Sequence, residues 1–291
     1  MAASLELLQP ALYLVVLLVI AFILSVNLLG SKNVKYPPVI KGWIPWLGCA
    51  IDFGKAPLNF IKEARERHGV IFTFYAAGQR MTFLTDVSDF HVFFNSPQAD
   101  FQRAVEEAVK NTAGINKVDF FANHRKIHDL VKGRLSSSNL HKLTPKVARQ
   151  LEDYIRHANI TNNEIDLMGV VRDVVFTAVV PVLFGDGILP QTQQDIKHFQ
   201  NQFVQFDSSF EHGSKLPEFL LKDWAKSKHF LLNRFYEVLQ KKSHTNVEED
   251  TLFQAMVCSL EGDCAPNYAT LLLWASLANA VPITFWTLAL Y

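Results

Sequence analysis

Apolar residues fall into blocks along this chain, and the blocks differ in length and period. Residues 11–29, "ALYLVVLLVIAFILSVNLL", are uncharged throughout. At about 1.5 Å per residue such a run just crosses the hydrocarbon core of a bilayer. A cleavable leader has a shorter apolar region behind a basic start. Here no Lys or Arg precedes the run, and Lys32, Lys35 and Lys41 follow it. The pattern predicts an uncleaved N-terminal membrane anchor over 1–30, with the body of the protein on the cytosolic side by the positive-inside rule. Residues 36–48, "YPPVIKGWIPWLG", hold prolines that keep the backbone extended. Residues 31–56 therefore read as a stiff Pro/Gly-rich arm, with Trp43 and Trp46 suited to a membrane interface.

Shorter periods follow. Residues 57–69 predict a helix, with Pro57 in its first turn and Gly69 at its stop. Phe60, Ile61 and Ala64 give it an apolar face. "VIFTFYAAGQRMTFLTD" predicts strands over 70–75 and 80–85 with Gly78 in the turn. Helix resumes from Asp86 and ends near Pro97, and beyond it the chain reads as almost wholly helical. Thr144 followed by Pro145 reads as a helix start, a cap before a first-turn proline. Residues 167–184 are apolar on most sides, yet Arg172 and Asp173 sit among them, which predicts a core helix of a large protein. "GDGILP" after it is a turn; a glycine fingerprint would follow a strand. Over 215–240, Leu216, Leu220, Trp224 and Leu231 recur near helical spacing, with Lys222, Lys226 and Lys228 between them. Two readings fit, a helix on a membrane surface and an ordinary surface helix. Residues 244–250 read as a solvated loop.

The last block, 271–291, "LLLWASLANAVPITFWTLALY", is uncharged and long enough to span a membrane. Asn279 and Pro282 at its centre are costly in lipid, so a buried core helix is expected, with a second span as the alternative. Composition narrows the classes. Lys plus Arg and Asp plus Glu both count 28, so no basic excess points to nucleic acid. Half the residues are hydrophobic and 23 are Phe, enough for a sizeable core. Cys49, Cys258 and Cys264 make no disulfide framework and no zinc spacing. Nucleophile-elbow, HExxH and CxxC motifs do not occur. His124 and His128 lie one helical turn apart and share a face; a surface pair is the simpler reading, a metal site the other.

Two of these blocks carry a resemblance. "PPVIKGWIPWLG" matches the pattern PPxxxGxxPxxG that follows the anchor in microsomal cytochrome P-450 monooxygenases. "LWASLANAVPITFW" resembles the long central helix of that family's sterol 7-hydroxylase and prostacyclin synthase branch, the oxysterol 7α-hydroxylases above all. The resemblance implies a mainly α fold: the N-terminal portion of the cytochrome P-450 fold with a small β-sheet, behind one transmembrane helix, its catalytic domain running over 57–291. It implies a haem-thiolate sterol monooxygenase of cholesterol and bile acid metabolism, single-pass in the endoplasmic reticulum membrane. An oxysterol is its substrate, haem b its cofactor, an NADPH-dependent cytochrome P-450 reductase its electron donor, membrane lipid a further partner and nucleic acid none.

Residue roles follow from the same resemblance. In most of the family the central helix carries an acid–alcohol pair; here Val281 and Pro282 hold those positions, while Ala278 and Asn279 match the motif's start. Asn279 is thus the implied catalytic residue, and Trp274, Ala278, Asn279 and Ile283 the implied substrate contacts. His124, His128 and Lys132, near the place of the family's Trp-x-x-x-Arg, and Ala278 are the implied haem contacts. The family's ligand cysteine, in a Phe- and Gly-rich loop, and its Glu-x-x-Arg motif do not occur among these residues. The chain is therefore expected to correspond to roughly the first three-fifths of a family protein. A catalytically inert truncated product and an unrelated two-span membrane protein are the alternatives.

Overall fold

The structure, a computed structural model, describes residues 36–44, 46–157, 166–242, 251–261 and 263–291. The anchor expected over 1–30 and the loop expected over 244–250 lie outside them. The chain divides into two compact units, Met1–Ala99 and Asp100–Tyr291.

In the first unit, strand β1 (Val39–Ile40) pairs in parallel with β2 (Ile71–Ala76), which pairs antiparallel with β3 (Gln79–Leu84). Ala77 and Gly78 close the hairpin at φ 48° and 80°, the positive angles that a two-residue turn needs to match strand twist. Thr73 and Thr82 face each other across the ladder and share a hydroxyl hydrogen bond of 2.8 Å. Helices α1 (Ala50–Lys55) and α2 (Pro57–His68) complete the unit's packed part. Phe53, Phe60 and Phe83 gather round Phe74 with ring centroids 5.1, 4.9 and 5.3 Å away. The segment expected as an irregular arm thus contributes a strand and a helix. Gly48 makes its turn possible: its φ is +56°, and a Cβ there would lie 2.1 Å from the Tyr75 carbonyl oxygen. A 3₁₀ turn (Val87–Asp89) and α3 (Phe90–Asn95) end the unit.

The second unit is helical: α4 (Phe101–Ala113), α5 (Lys117–Arg134), α6 (Ser137–His157), α7 (Leu167–Phe184), α8 (Gln193–Ser208), α9 (Phe210–Gly213), α10 (Lys222–Lys242), α11 (Leu252–Ser259) and α12 (Ala265–Leu290). Asp100, Asn116, Asp166, Thr192 and Thr251 each cap a helix through a side-chain oxygen. Helix α12 is the hub, packed on α4, α7, α8, α10 and α11. By length and composition alone, α7 and α12 are both apolar enough to cross a membrane. Helix α7 is in the core: Val171, Val175, Phe176, Ala178, Val180 and Phe184 are buried. Its charge sits at the core's edge, where Asp173 meets Lys197 at 3.3 Å and accepts from the Tyr154 hydroxyl.

One boundary differs from the sequence reading. Thr144 and Pro145 do not start a helix; α6 begins at Ser137 and runs through Pro145. The Thr144 hydroxyl bonds backward to the Leu140 carbonyl at 2.7 Å instead of capping forward. Threonine can make either bond, so its side chain does not mark a helix start by itself.

Residues 215–240, read as a surface helix with or without a membrane, also reach into the core. Leu216, Phe219 and Leu220 are exposed, whereas Trp224 and Leu231 lie in the core. The Trp224 indole stacks on Phe206 and donates to its carbonyl at 3.0 Å. Lys228, only 4% exposed, crosses from α10 to donate to the Asn111 carbonyl at 2.8 Å and to the Glu218 carboxylate. That partnership holds the Glu218 carboxyl below its ordinary pKa: the Lys228 hydrogen bond is the largest cause, and its charge and His229 add to it. With the folded pKa below the unfolded one, the pair stabilises fully above the ordinary glutamate range and is lost as pH falls through the folded value. Glu218→Gln is therefore expected to flatten the acid limb of a urea-midpoint profile while lowering the midpoint at neutral pH. An acid limb identical to the parent's would remove Glu218 from the account.

Candidate functional site

The expected site residues lie on α12 and α5. Helix α12 opens with Pro266 in its first turn, where a missing N–H costs nothing. Its interior polar groups bond back to carbonyls one turn earlier: Thr270 to Pro266, Ser276 to Leu272, Thr287 to Ile283. Such bonds satisfy the hydroxyls and keep the helix surface apolar. Pro282 breaks the pattern. Its nitrogen carries no hydrogen, so the Ala278 carbonyl receives no helical N–H from it. One residue on, the Asn279 amide nitrogen donates to the Ala275 carbonyl at 2.9 Å. Ala275 already takes the bond that helical geometry gives it, so Asn279 does not repair the gap at Ala278. Two acceptors, the Ala278 carbonyl and the Asn279 amide oxygen, thus stand on adjacent residues of an otherwise apolar helix. Each can accept a hydrogen bond from a hydroxyl or a water.

Helical spacing sorts the α12 residues into two stripes. Trp274 and Ala278 share one; Asn279 and Ile283 share another about 100° round. Asn279 and Ile283 are exposed, and Ala278 is half-buried. Trp274 is committed elsewhere: its indole N–H donates to Asp207 at 2.9 Å and its ring stacks on Phe210, centroids 3.5 Å apart. It fixes α12 to α8 and α9.

On α5, His124, His128 and Lys132 lie on one stripe. His124 is half-buried against Phe120, while His128 and Lys132 are exposed. Burial, and after it the neighbouring charge of His128, lowers the His124 pKa. His124 is thereby disposed to be neutral. Sequence reasoning passed over Arg125, exposed in the same turn, as a further candidate for an anionic group. Among the described residues no hydrogen bond, ion pair or ring contact joins this stripe to Trp274, Ala278, Asn279 or Ile283. The α5–α12 contacts fall earlier, where Asn123 meets Cys264 and the Tyr268 hydroxyl meets the Asp119 and Phe120 carbonyls.

Among the described residues no three His, Cys, Asp or Glu side chains group to hold a metal. An axial ligand to a haem iron would have to be a thiolate, and the three cysteines differ in their surroundings. Cys49 belongs to the small core of the first unit, and burial raises its pKa with the Asp52 charge adding to it. Cys264 is buried too; burial and then the Asp119 charge raise its pKa, and its thiol donates to the Glu261 carbonyl at 3.1 Å. Both therefore resist becoming thiolates. Cys258 is exposed and accepts from Gln254 within its own helix. None of the three fits an axial thiolate.

The chain's relatives agree with this architecture. Residues 37–263 match the family described as Cytochrome P450. The chain is 40% identical over 98% of its length to human (Homo sapiens) 24-hydroxycholesterol 7-alpha-hydroxylase, covering 61% of that protein. It is 40% identical over 88% of its length to the mouse (Mus musculus) protein of the same name, covering 56% of it. Cholesterol 7-alpha-monooxygenase of Cricetulus griseus is 28% identical over 87% of the chain, with 53% of that protein covered. The chain thus spans about three-fifths of the length of the first two relatives. Among solved structures, retinoic acid-bound cyanobacterial CYP120A1 superposes with a TM-score of 0.61 at 17% identity, over 82% of this chain and 56% of that one. The helical hub round α12, the small sheet and the family match over residues 37–263 agree: this chain belongs to the cytochrome P450 family.

Proposed function

We propose that this chain serves a membrane-bound haem-thiolate monooxygenase that hydroxylates an oxysterol at its 7α position, in cholesterol and bile acid metabolism. The observation that carries the reading is the polar break on α12, where Ala278 and Asn279 present two acceptors on an apolar surface. The names of the human and mouse relatives support the substrate class. The family's cofactor is haem, taken here as haem b, which activates molecular oxygen when bound. Cys49, Cys258 and Cys264 do not fit as its thiolate ligand. Electrons come from an NADPH-dependent cytochrome P-450 reductase.

The residues present account for substrate handling. The apolar α12 surface takes the sterol's rings, with Ile283 exposed to them and Ala278 leaving room beside the helix. Asn279 and the Ala278 carbonyl hold a hydroxyl or water and orient its proton. In the whole protein, Asn279→Leu is expected to lower product formed per NADPH consumed about tenfold, the low end of what positioned proton transfer contributes. Sterol affinity should change less than about threefold, since the volumes are close. If yield per NADPH matches the parent, Asn279 is a structural residue and the reading loses its main support.

The protein is placed in the endoplasmic reticulum membrane by one N-terminal crossing, the body facing the cytosol. The basic residues after Leu29 motivate this. An epitope after Tyr291 should be digested by protease added outside sealed microsomes. Protection of that epitope would overturn the single-crossing topology.

A further inference from the structure

Helix α8 contains a polar group that the site as described does not use. Gln200 is 1% exposed, and its amide oxygen receives no hydrogen bond from any described residue. It is the single buried side-chain oxygen or nitrogen in that condition among the described residues. Its neighbours on the helix show the contrast. Phe199 and Phe203 are buried and apolar, and Gln202 is satisfied by the Ser227 hydroxyl at 2.8 Å. A buried acceptor without a donor costs free energy, and folded proteins rarely keep one without a reason.

Position supplies the reason. Gln200 and Asp207 are seven residues apart, so they lie within about 20° of one another on α8 and about 10 Å apart along its axis. Asp207 marks the direction of that face, because its carboxylate accepts from Trp274 on α12. Gln200 therefore sits on the side of α8 that turns to α12, the helix of the Ala278–Asn279 break. Phe203, on the same face, packs on Phe176 of α7 at 5.1 Å between ring centroids. The rings beside it are apolar, so the partner is either an internal water or a hydroxyl on an otherwise apolar ligand.

We propose that the Gln200 amide oxygen accepts a hydrogen bond from the hydroxyl that an oxysterol carries and cholesterol lacks. The inference rests on the oxysterol reading and deepens it: a site for a doubly hydroxylated sterol needs one polar partner more than a site for cholesterol. A site built to pair a ligand hydroxyl discriminates against the analogue without it, because its own buried polar group is then left bare. Gln200 is a specificity-determining residue in this sense and takes no part in moving protons.

The test is equilibrium binding to the full 291-residue chain in detergent, with 24-hydroxycholesterol and cholesterol each displacing a fluorescent sterol. The parent should bind the hydroxylated sterol at least tenfold tighter. Gln200→Met keeps the length of the side chain and removes its polar atoms. It should bring the ratio to within about twofold of unity by weakening the hydroxylated sterol alone, with melting temperature unchanged or raised. Should the Met variant fail to fold, Gln200→Asn, which withdraws the same amide by one methylene, should lose most of the preference. If the parent prefers the hydroxylated sterol and both variants keep that preference, the acceptor is satisfied by an internal water and the assignment is wrong, while the sterol reading stands. If the parent binds neither sterol, the sterol reading fails and the assignment falls with it.

Discussion

Asn123→Ala is expected to lower the stability of the helical unit by about 3 kcal/mol, the cost of stranding more than one buried polar group. Asn123 is fully buried. Its amide nitrogen donates to the Asp119 and Glu261 carbonyls, both at 3.1 Å, and approaches the Cys264 sulfur at 3.4 Å. Its amide oxygen accepts from the Glu261 N–H at 2.9 Å. One side chain thus serves both backbone groups of Glu261, in the turn between α11 and α12, and fixes that turn to α5. Alanine leaves both groups without their partner and opens a small cavity besides. Asn116→Ala is the matched control, because the same residue type caps the same helix at its exposed end, bonding Asp119 N–H at 2.9 Å. That variant should cost only about 1 kcal/mol, the usual worth of an N-cap. Thermal unfolding of the three proteins in one detergent measures the difference. Equal losses from both variants would show that the Asn123 network carries no special weight.

The second large effect is on chemistry. Supplied with haem and carbon monoxide, the 291-residue chain should show no thiolate-type Soret band, and with reductase added it should give no sterol product. Cleavage of oxygen in this family depends on electron density pushed from a cysteine thiolate. Cys49 and Cys264 are held as thiols by burial, and each already has a carbonyl partner, Ile40 and Glu261. Ionising either would put a charge into an apolar environment without compensation. Cys258 is accessible, but among the described residues its polar partner is Gln254, one turn earlier on α11, and no cation lies beside it to favour a thiolate. The triple Cys→Ser variant should therefore bind haem no differently from the parent. A thiolate band that vanished on Cys258→Ser would refute the assignment.

Local features of the fold were legible in the sequence, and distant partnerships were not. The hairpin, expected as strands over 70–75 and 80–85 and found over 71–84, followed from aromatic and β-branched runs on either side of Gly78, because register and turn lie within about a dozen residues. Helix α7 was read as core from two charges in an apolar run, and Asp173 does find Lys197 and Tyr154 at its edge. Thr144–Pro145 was misread because a threonine hydroxyl bonds forward at a cap and backward inside a helix, and the letters are the same in both cases. Lys228 was read as one of three interleaved surface lysines; its burial depends on Asn111 and Glu218, which no periodicity connects to it. The site divides in the same way. Pro282 locates the bare carbonyl of Ala278 by counting back four residues. Asp207, which ties down Trp274 from 67 positions away, and the bare acceptor of Gln200 become visible only when α8 meets α12.

Those distant ties also set the order in which the unit can form. Asn123 waits for Glu261, 138 positions later, and the Ala113 carbonyl waits for Asn267, 154 positions later. Loop closure of that length is slow and is paid before the contacts return anything. While the chain is being synthesised, α7 can pack on α6, which precedes it, but is complete and apolar long before α12, another of its large neighbours, exists. The intermediate exposes Val175, Phe176 and Val180 for the time needed to add roughly a hundred residues, several seconds or more at ordinary elongation rates. The late arrival of the hub helix thus leaves one face of α7 open during synthesis, a face that a chaperone or a membrane surface can cover until α12 takes its place.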